Sequence, residues 1–160
     1  MFFFDQYLFE NFNDKRIPQL KKFWHIMADA RLIAFLLFAI PVVYLFFLGQ
    51  FWIIIQMTIS AAFSIIIGYI LKAIILRPRP NNFVTYLGKF DSSFPSLHAL
   101  SAFNLAYLLS IIFPDFLAFW IGIATFIGLS RIYIQVHYFT DVLGGVVLGS
   151  LVAWLVLFIS

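Results

Sequence analysis

Five apolar runs, each near the length of a bilayer-spanning helix, limit what this chain can fold into more than any other feature. They cover about residues 31–48, 51–76, 96–113, 116–133 and 143–160. A hydrocarbon core takes about 20 residues of α-helix to cross. In lipid a backbone must satisfy its own polar groups, so runs this long and this apolar read as helices. Hydrophobic residues make up 64% of the chain and charged residues 11%, far from the balance of a soluble domain. The expected fold class is all-α, a polytopic membrane helical bundle of about five transmembrane helices. One domain spans residues 1–160, with an interfacial segment at 1–30 and the bundle at 31–160.

The punctuation between the runs supports this division. Residues 1–30 mix Phe2, Phe3, Phe4, Phe9 and Phe12 with Asp5, Gln6 and Glu10, and then Phe23 and Trp24 with Lys21 and Lys22. This pattern suits short helices lying in the membrane interface, and the start lacks the basic region of a signal peptide. Lone His25 reads as an interfacial side chain. Asp29 is placed to cap the first span, and Pro41 to kink it. Gly49-Gln50 and Pro114-Asp115 are tight turns, while residues 77–95 form the one long polar loop.

Composition also excludes several chemistries. With no cysteine there is no disulfide, thiolate zinc site or iron–sulfur cluster. The seven acidic residues are scattered and form no visible hard-metal cage, so neither a metal nor another cofactor is expected. A net charge of +3 suits anionic lipid head groups, and no nucleic-acid-binding module is present.

Small residues recur every four positions in three runs: Ser60, Ser64 and Gly68; Ala102, Ala106 and Ser110; Gly145, Gly149 and Ala153. Such seams let helices approach closely in lipid. The first continues to Lys72, and the second begins four residues after His98. Both therefore lead toward charged side chains.

Those side chains form a constellation. Lys72 stands inside an apolar run, and Arg79-Pro80 follows seven residues later. Pro95-Ser96-Leu97-His98 opens the third run, where free backbone N–H groups attract an anion. Arg131, His137 and Asp141 close the series within residues 130–141, and ionisable groups in such a setting are usually paired and functional. On one helix His137 and Asp141 would share a face. A carboxylate on one ring nitrogen leaves the other free to act as a nucleophile or base. The up-and-down topology brings Lys72, Arg79, Ser96, His98, Arg131, His137 and Asp141 to a single membrane face. Three cations, a hydroxyl and two histidines suit a phosphoryl dianion.

These patterns, Lys-x6-Arg-Pro (Lys72, Arg79, Pro80), Pro-Ser-x-His (Pro95, Ser96, His98) and Ser-Arg-x5-His-x3-Asp (Ser130, Arg131, His137, Asp141), resemble the three signature motifs of the type 2 phosphatidic acid phosphatase superfamily. Leu97 stands where the family commonly has Gly, a position that contributes a backbone N–H. Family members often have six spans; five are expected here, with residues 1–30 resembling the interfacial segment that follows the first span of such members. The resemblance implies a metal-independent membrane phosphatase acting on a lipid phosphate or diphosphate. In that reading His137 forms a phosphohistidine, Asp141 orients it, and His98 protonates the leaving oxygen. Lys72, Arg79, Arg131 and Ser96 hold the phosphate. Bacterial relatives act on undecaprenyl diphosphate, phosphatidylglycerol phosphate or the 1-phosphate of lipid A. Asn81, Asn82, Tyr86 and Lys89, with the N-terminal aromatics, are the expected head-group contacts.

All ten Lys and Arg residues lie on the catalytic side or at its edge. The positive-inside rule would turn that side to the cytoplasm. Bacterial family members with this layout face the periplasm or cell exterior, and the expected location follows them: the inner membrane, active site outward. Two rival functions remain at this point. A vanadate-dependent haloperoxidase shares the motifs, but those enzymes are soluble and larger. A lipid or anion transporter could use the cations, but would not need His98 or the His137–Asp141 spacing.

Overall fold

The structure is a computed structural model describing residues 5, 7, 20–80 and 92–159. A short helix, α1 (Lys21–Met27), has no fully buried residue and stacks Trp24 on Tyr133, ring centroids 5.2 Å apart. The remaining sequence expectations for residues 1–19 fall almost wholly outside the described residues.

The first span, α2, runs Ala30–Phe47. Asp29 caps it, its carboxylate accepting the Arg31 N–H at 2.9 Å. Ala34–Ala39 widen into a π-helical stretch just before Pro41. Proline brings no N–H to the ladder, and a π-bulge absorbs the resulting change of register. The helix closes with a Schellman motif: the Gly49 N–H donates to Phe46 O at 3.0 Å, and the Gln50 N–H to Leu45 O at 2.9 Å. Gly49 takes φ +70°, which explains why glycine stands there.

The other spans are α3 (Phe51–Ile75), α4 (Leu97–Ile112), α5 (Leu117–Tyr133, entered through a 3₁₀ turn at Pro114–Phe116) and α6 (Phe139–Ile159). The bundle is all-helical, as expected. Four of its helices are long and apolar enough to cross a membrane. The third span, α4, has only 16 residues, fewer than the sequence suggests. The last begins at residue 139, not 143. Tyr138 is its N-cap, and the Asp141 carboxylate reaches back to the Tyr138 N–H at 2.8 Å, as the acidic partner of a capping box does.

The core is built around α4, which packs most extensively on α6, then on α5 and α3. The small-residue seams carry these contacts. Ser60, Ser64, Gly68 and Lys72 are all buried on α3. A Cβ added at Gly149 would lie 2.2 Å from Leu100 O, and one at Gly145 2.8 Å from Ser96 O. Glycine at these two positions lets α6 press its backbone against the start of α4. Asn104 clips three helices together, its Nδ2 donating to Ser60 Oγ at 2.8 Å and to Gly149 O at 3.2 Å. Large side chains such as Phe35, Phe63, Phe126 and Trp154 point outward instead, where lipid replaces water as the solvent.

Candidate active site

The ends of α3 and α5 and the starts of α4 and α6 meet at one end of the bundle. Lys72 lies in the last turn of α3, and Arg79 follows that helix. Ser96 is the N-cap of α4, with His98 in its first turn. Arg131 lies in the last turn of α5 and Asp141 in the first turn of α6. His137 stands in the bend before α6, not on the helix. The shared helical face expected for His137 and Asp141 is therefore replaced by a turn, which still brings His137 Nδ1 to 3.7 Å from Asp141 Oδ2.

Each of the three cations donates to a backbone carbonyl. Lys72 is 2% exposed and donates from Nζ to Ser92 O, so it does not snorkel to the surface. Arg79 Nη1 donates to Val136 O at 3.1 Å, which puts its guanidinium beside the residue preceding His137. Arg131 Nη1 donates to Ala28 O at 3.0 Å, while its buried Nε finds no acceptor among the described residues. A buried donor without an acceptor is rare and asks for an explanation. Arg131, His137, Arg79 and Lys72 all lie within electrostatic reach of His98. Ser96 is fully buried, its Oγ 3.5 Å from the Ala99 N–H.

Asp141 is fully buried and saturated with donors. Oδ2 accepts from Ser93 Oγ at 2.5 Å and from the Tyr138 N–H, and Oδ1 accepts from Arg77 Nη1 at 2.6 Å. Ser93 Oγ also lies 3.5 Å from His137 Nδ1. The ring thus turns Nδ1 toward Ser93 and Asp141. The Nδ1–H tautomer leaves the lone pair on Nε2.

Burial holds the His137 ring down to a pKa of about 4; Asp141 opposes this, and Arg131 and Arg79 reinforce it. The ring is therefore neutral at pH 7. Between its ordinary value and about 4 the unfolded chain binds the proton more readily, so this group destabilises the fold as pH drops through that window. Under the nucleophile role that the resemblance implies for His137, the acid limb of kcat/KM, which reports the free protein, should fall near pH 4 once corrected for ionisation of the substrate. A limb at the ordinary histidine value would contradict a buried neutral ring.

Three neighbours of the site were not among the sequence candidates: Asp5, Arg77 and Ser93. Arg77 is 7% exposed and joins two carboxylates, donating from Nη2 to Asp5 Oδ2 and from Nη1 to Asp141 Oδ1, each at 2.6 Å. Its guanidinium carbon also lies 4.4 Å from the centre of the Tyr138 ring. The doubled Arg-Pro at residues 77–80 was the signal available for it. Leu76 ends α3 in the left-handed conformation at φ 49°, a cost of about 1–2 kcal/mol that turns the chain toward Arg77. Asp5 and Ser93 carry no motif. The expected head-group contacts Asn81, Asn82, Tyr86 and Lys89 lie outside the described residues.

One more feature adjoins the site. A cavity of about 560 Å³ lies between α2, α3 and α4, walled by apolar residues including Ile33, Phe38, Ile65 and Leu105. His98 and Ser101 lie on its wall as well. Among the described residues, no group of three or more His, Asp or Glu side chains gathers to hold a metal ion.

Comparison with known proteins agrees with this architecture. The chain is 38% identical over 109 residues to an undecaprenyl-diphosphatase of Sulfolobus acidocaldarius, covering 63% of this chain and 52% of that protein. It is 29% identical over 109 residues to a lipid A 1-phosphatase of Rhizobium johnstonii, covering 62% and 44%. It thus spans about half the length of these curated relatives. The crystal structure of a transmembrane PAP2 type phosphatidylglycerolphosphate phosphatase from Bacillus subtilis superimposes with a TM-score of 0.79 at 27% identity, over 97% of this chain and 83% of that one. Residues 51–160, which carry all seven candidate residues, match the model of the PAP2 superfamily, and the chain belongs to that superfamily.

Proposed function

We propose that this protein is a membrane phosphatase that hydrolyses a lipid phosphate or diphosphate through a phosphohistidine, without a metal. One observation carries the reading. His98 lies within reach of the cation cluster and also on the wall of an apolar cavity between three membrane helices. A substrate that joins a phosphoryl group to a long apolar chain matches both halves at once, with the bond to be broken beside His98.

In the first half-reaction Nε2 of His137 attacks phosphorus in line. The bond from phosphorus to the lipid oxygen breaks, and His98 gives that oxygen its proton. In the second half-reaction water attacks the phosphohistidine. His98 takes a proton from the water, inorganic phosphate leaves, and the ring of His137 returns to its starting state. Lys72, Arg79, Arg131 and Ser96 hold the non-bridging oxygens, where charge spreads in the transition state. The fixed cations supply the electrostatic stabilisation, preorganised in a site shielded from water.

The relatives are named for undecaprenyl diphosphate, lipid A 1-phosphate and phosphatidylglycerophosphate. A bacterial inner membrane with the site facing outward fits such substrates. The test is phosphate release in detergent micelles containing a chelator, run across these three lipids. Turnover of at least one supports the reading. Tight binding of all three without phosphate release would indicate a carrier instead. For orientation, a cysteine introduced at Asp115, at the opposite end of the bundle, should resist an impermeant thiol reagent in intact cells; labelling from outside would reverse the assignment.

A further inference from the structure

The buried chain Asp5–Arg77–Asp141 is not needed to hold phosphate, yet it ends on the carboxylate that faces the proposed nucleophile. Its three members are 1%, 7% and 0% exposed. Their charges sum to one negative. Without Asp5, the Arg77 guanidinium at 2.6 Å would offset the Asp141 carboxylate, and His137 would face a neutral pair.

That matters when the ring reacts. A ring that carries a phosphoryl group on Nε2 and keeps its proton on Nδ1 is cationic. Arg79 and Arg131 oppose such a charge, since both act on His137 with the same sign. A triad carboxylate stabilises an imidazolium by remaining ionised. In a buried site such effects are weakly screened.

We propose that Asp5 is a positioning residue for the reaction: it binds the far side of Arg77 so that the cluster facing His137 stays net negative. The proposal rests on the reading of His137 as nucleophile. Asp5 also ties this charge to the helix that carries Asp141. Its Oδ1 accepts the Thr140 N–H at 3.2 Å, and its Oδ2 accepts the Thr140 hydroxyl at 2.6 Å. Arg77 Nη1 donates to that same hydroxyl oxygen at 2.7 Å. The first turn of α6, the guanidinium and the Asp5 carboxylate therefore form one hydrogen-bonded unit.

A charge role and a merely structural role predict different results for Asp5→Asn, which keeps the shape and one acceptor oxygen but removes the charge. The expected outcome is a fall in kcat of about 10- to 100-fold, the scale on which loss of the partner behind a metal-bound histidine acts. KM should change by less than about threefold, because the phosphate-holding groups are untouched. The deciding variant is the pair Asp5→Asn with Arg77→Gln, which restores a single negative charge on Asp141. It should recover most of the kcat lost in Asp5→Asn, although it breaks more hydrogen bonds.

Wild-type enzyme and His137→Ala run alongside, with melting temperature in detergent as the control for folding. An unchanged kcat in Asp5→Asn would overturn the proposal, and so would a folded double variant no faster than Asp5→Asn. Should Asp5→Asn not fold, the double variant is compared with wild type directly; a loss beyond about 100-fold would then overturn it. Failure of the phosphatase reading looks different: wild type itself would release no phosphate from any of the lipids.

Discussion

Replacing His137 with Ala should lower phosphate release by roughly 10⁴-fold or more, the scale seen when a covalent nucleophile is removed. The protein should still fold. His137 lies in the bend between α5 and α6 and contributes to no helix. Its polar contacts are the long ones from Nδ1, 3.5 Å to Ser93 and 3.7 Å to Asp141. Asp141 keeps its donors from Ser93, Tyr138 and Arg77 when the ring is gone, so no carboxylate is left stranded. Two measurements check the result: phosphate release from a lipid phosphate in micelles, and acid-labile incorporation of labelled phosphate into protein quenched during turnover. Activity within tenfold of wild type would remove His137 from the nucleophile role.

The second large effect is expected at Arg131. Its Nη1 is held by Ala28 O, while its buried Nε has no acceptor among the described residues. An oxygen of the transferring phosphoryl group would complete it. Removing one preorganised donor to a developing oxyanion costs about 10²–10³ in rate, and Arg131→Gln should fall in that range. Arg131→Lys should not rescue it, because a lysine ammonium is a point charge that cannot reproduce the planar fork. Both variants should be read against melting temperature, since the Ala28 carbonyl also loses its partner. A folded Arg131→Gln enzyme retaining a third of wild-type kcat/KM would show that Arg131 is not a phosphate ligand.

Much of this molecule was legible before its structure. The spans were readable because apolar runs in lipid have one way to satisfy their backbone. The small-residue seams were readable because close helix packing leaves a four-residue signature, and Gly149 against Leu100 O shows what that signature is for. What escaped were contacts between residues remote in sequence. Asp5 and Arg77 are 72 positions apart, and Ser93 and Asp141 are 48 apart. No local period marks either pair, and a lone acid among phenylalanines looks like an interfacial residue. The start of α6 was misplaced because Tyr138, its N-cap, is not one of the residues that announce a helix start. Once the capping contact from Asp141 is known, the bend at His137 follows.

The shortness of α4 has one further consequence. Sixteen residues rise about 24 Å, whereas a hydrocarbon core measures about 30 Å. The neighbouring α3, at 25 residues, rises about 37 Å. The start of α4 lies opposite Gly68, about 10 Å before α3 ends at Ile75, and opposite Gly145, about 9 Å after α6 begins at Phe139, so Ser96 and His98 sit in a recess about two helical turns below those ends. In the proposed reaction a head group must be immersed to that depth before its phosphorus can meet His137. A phosphate ester whose tail already anchors it in the membrane core starts near the floor of this well, while a short water-soluble ester has to descend from above.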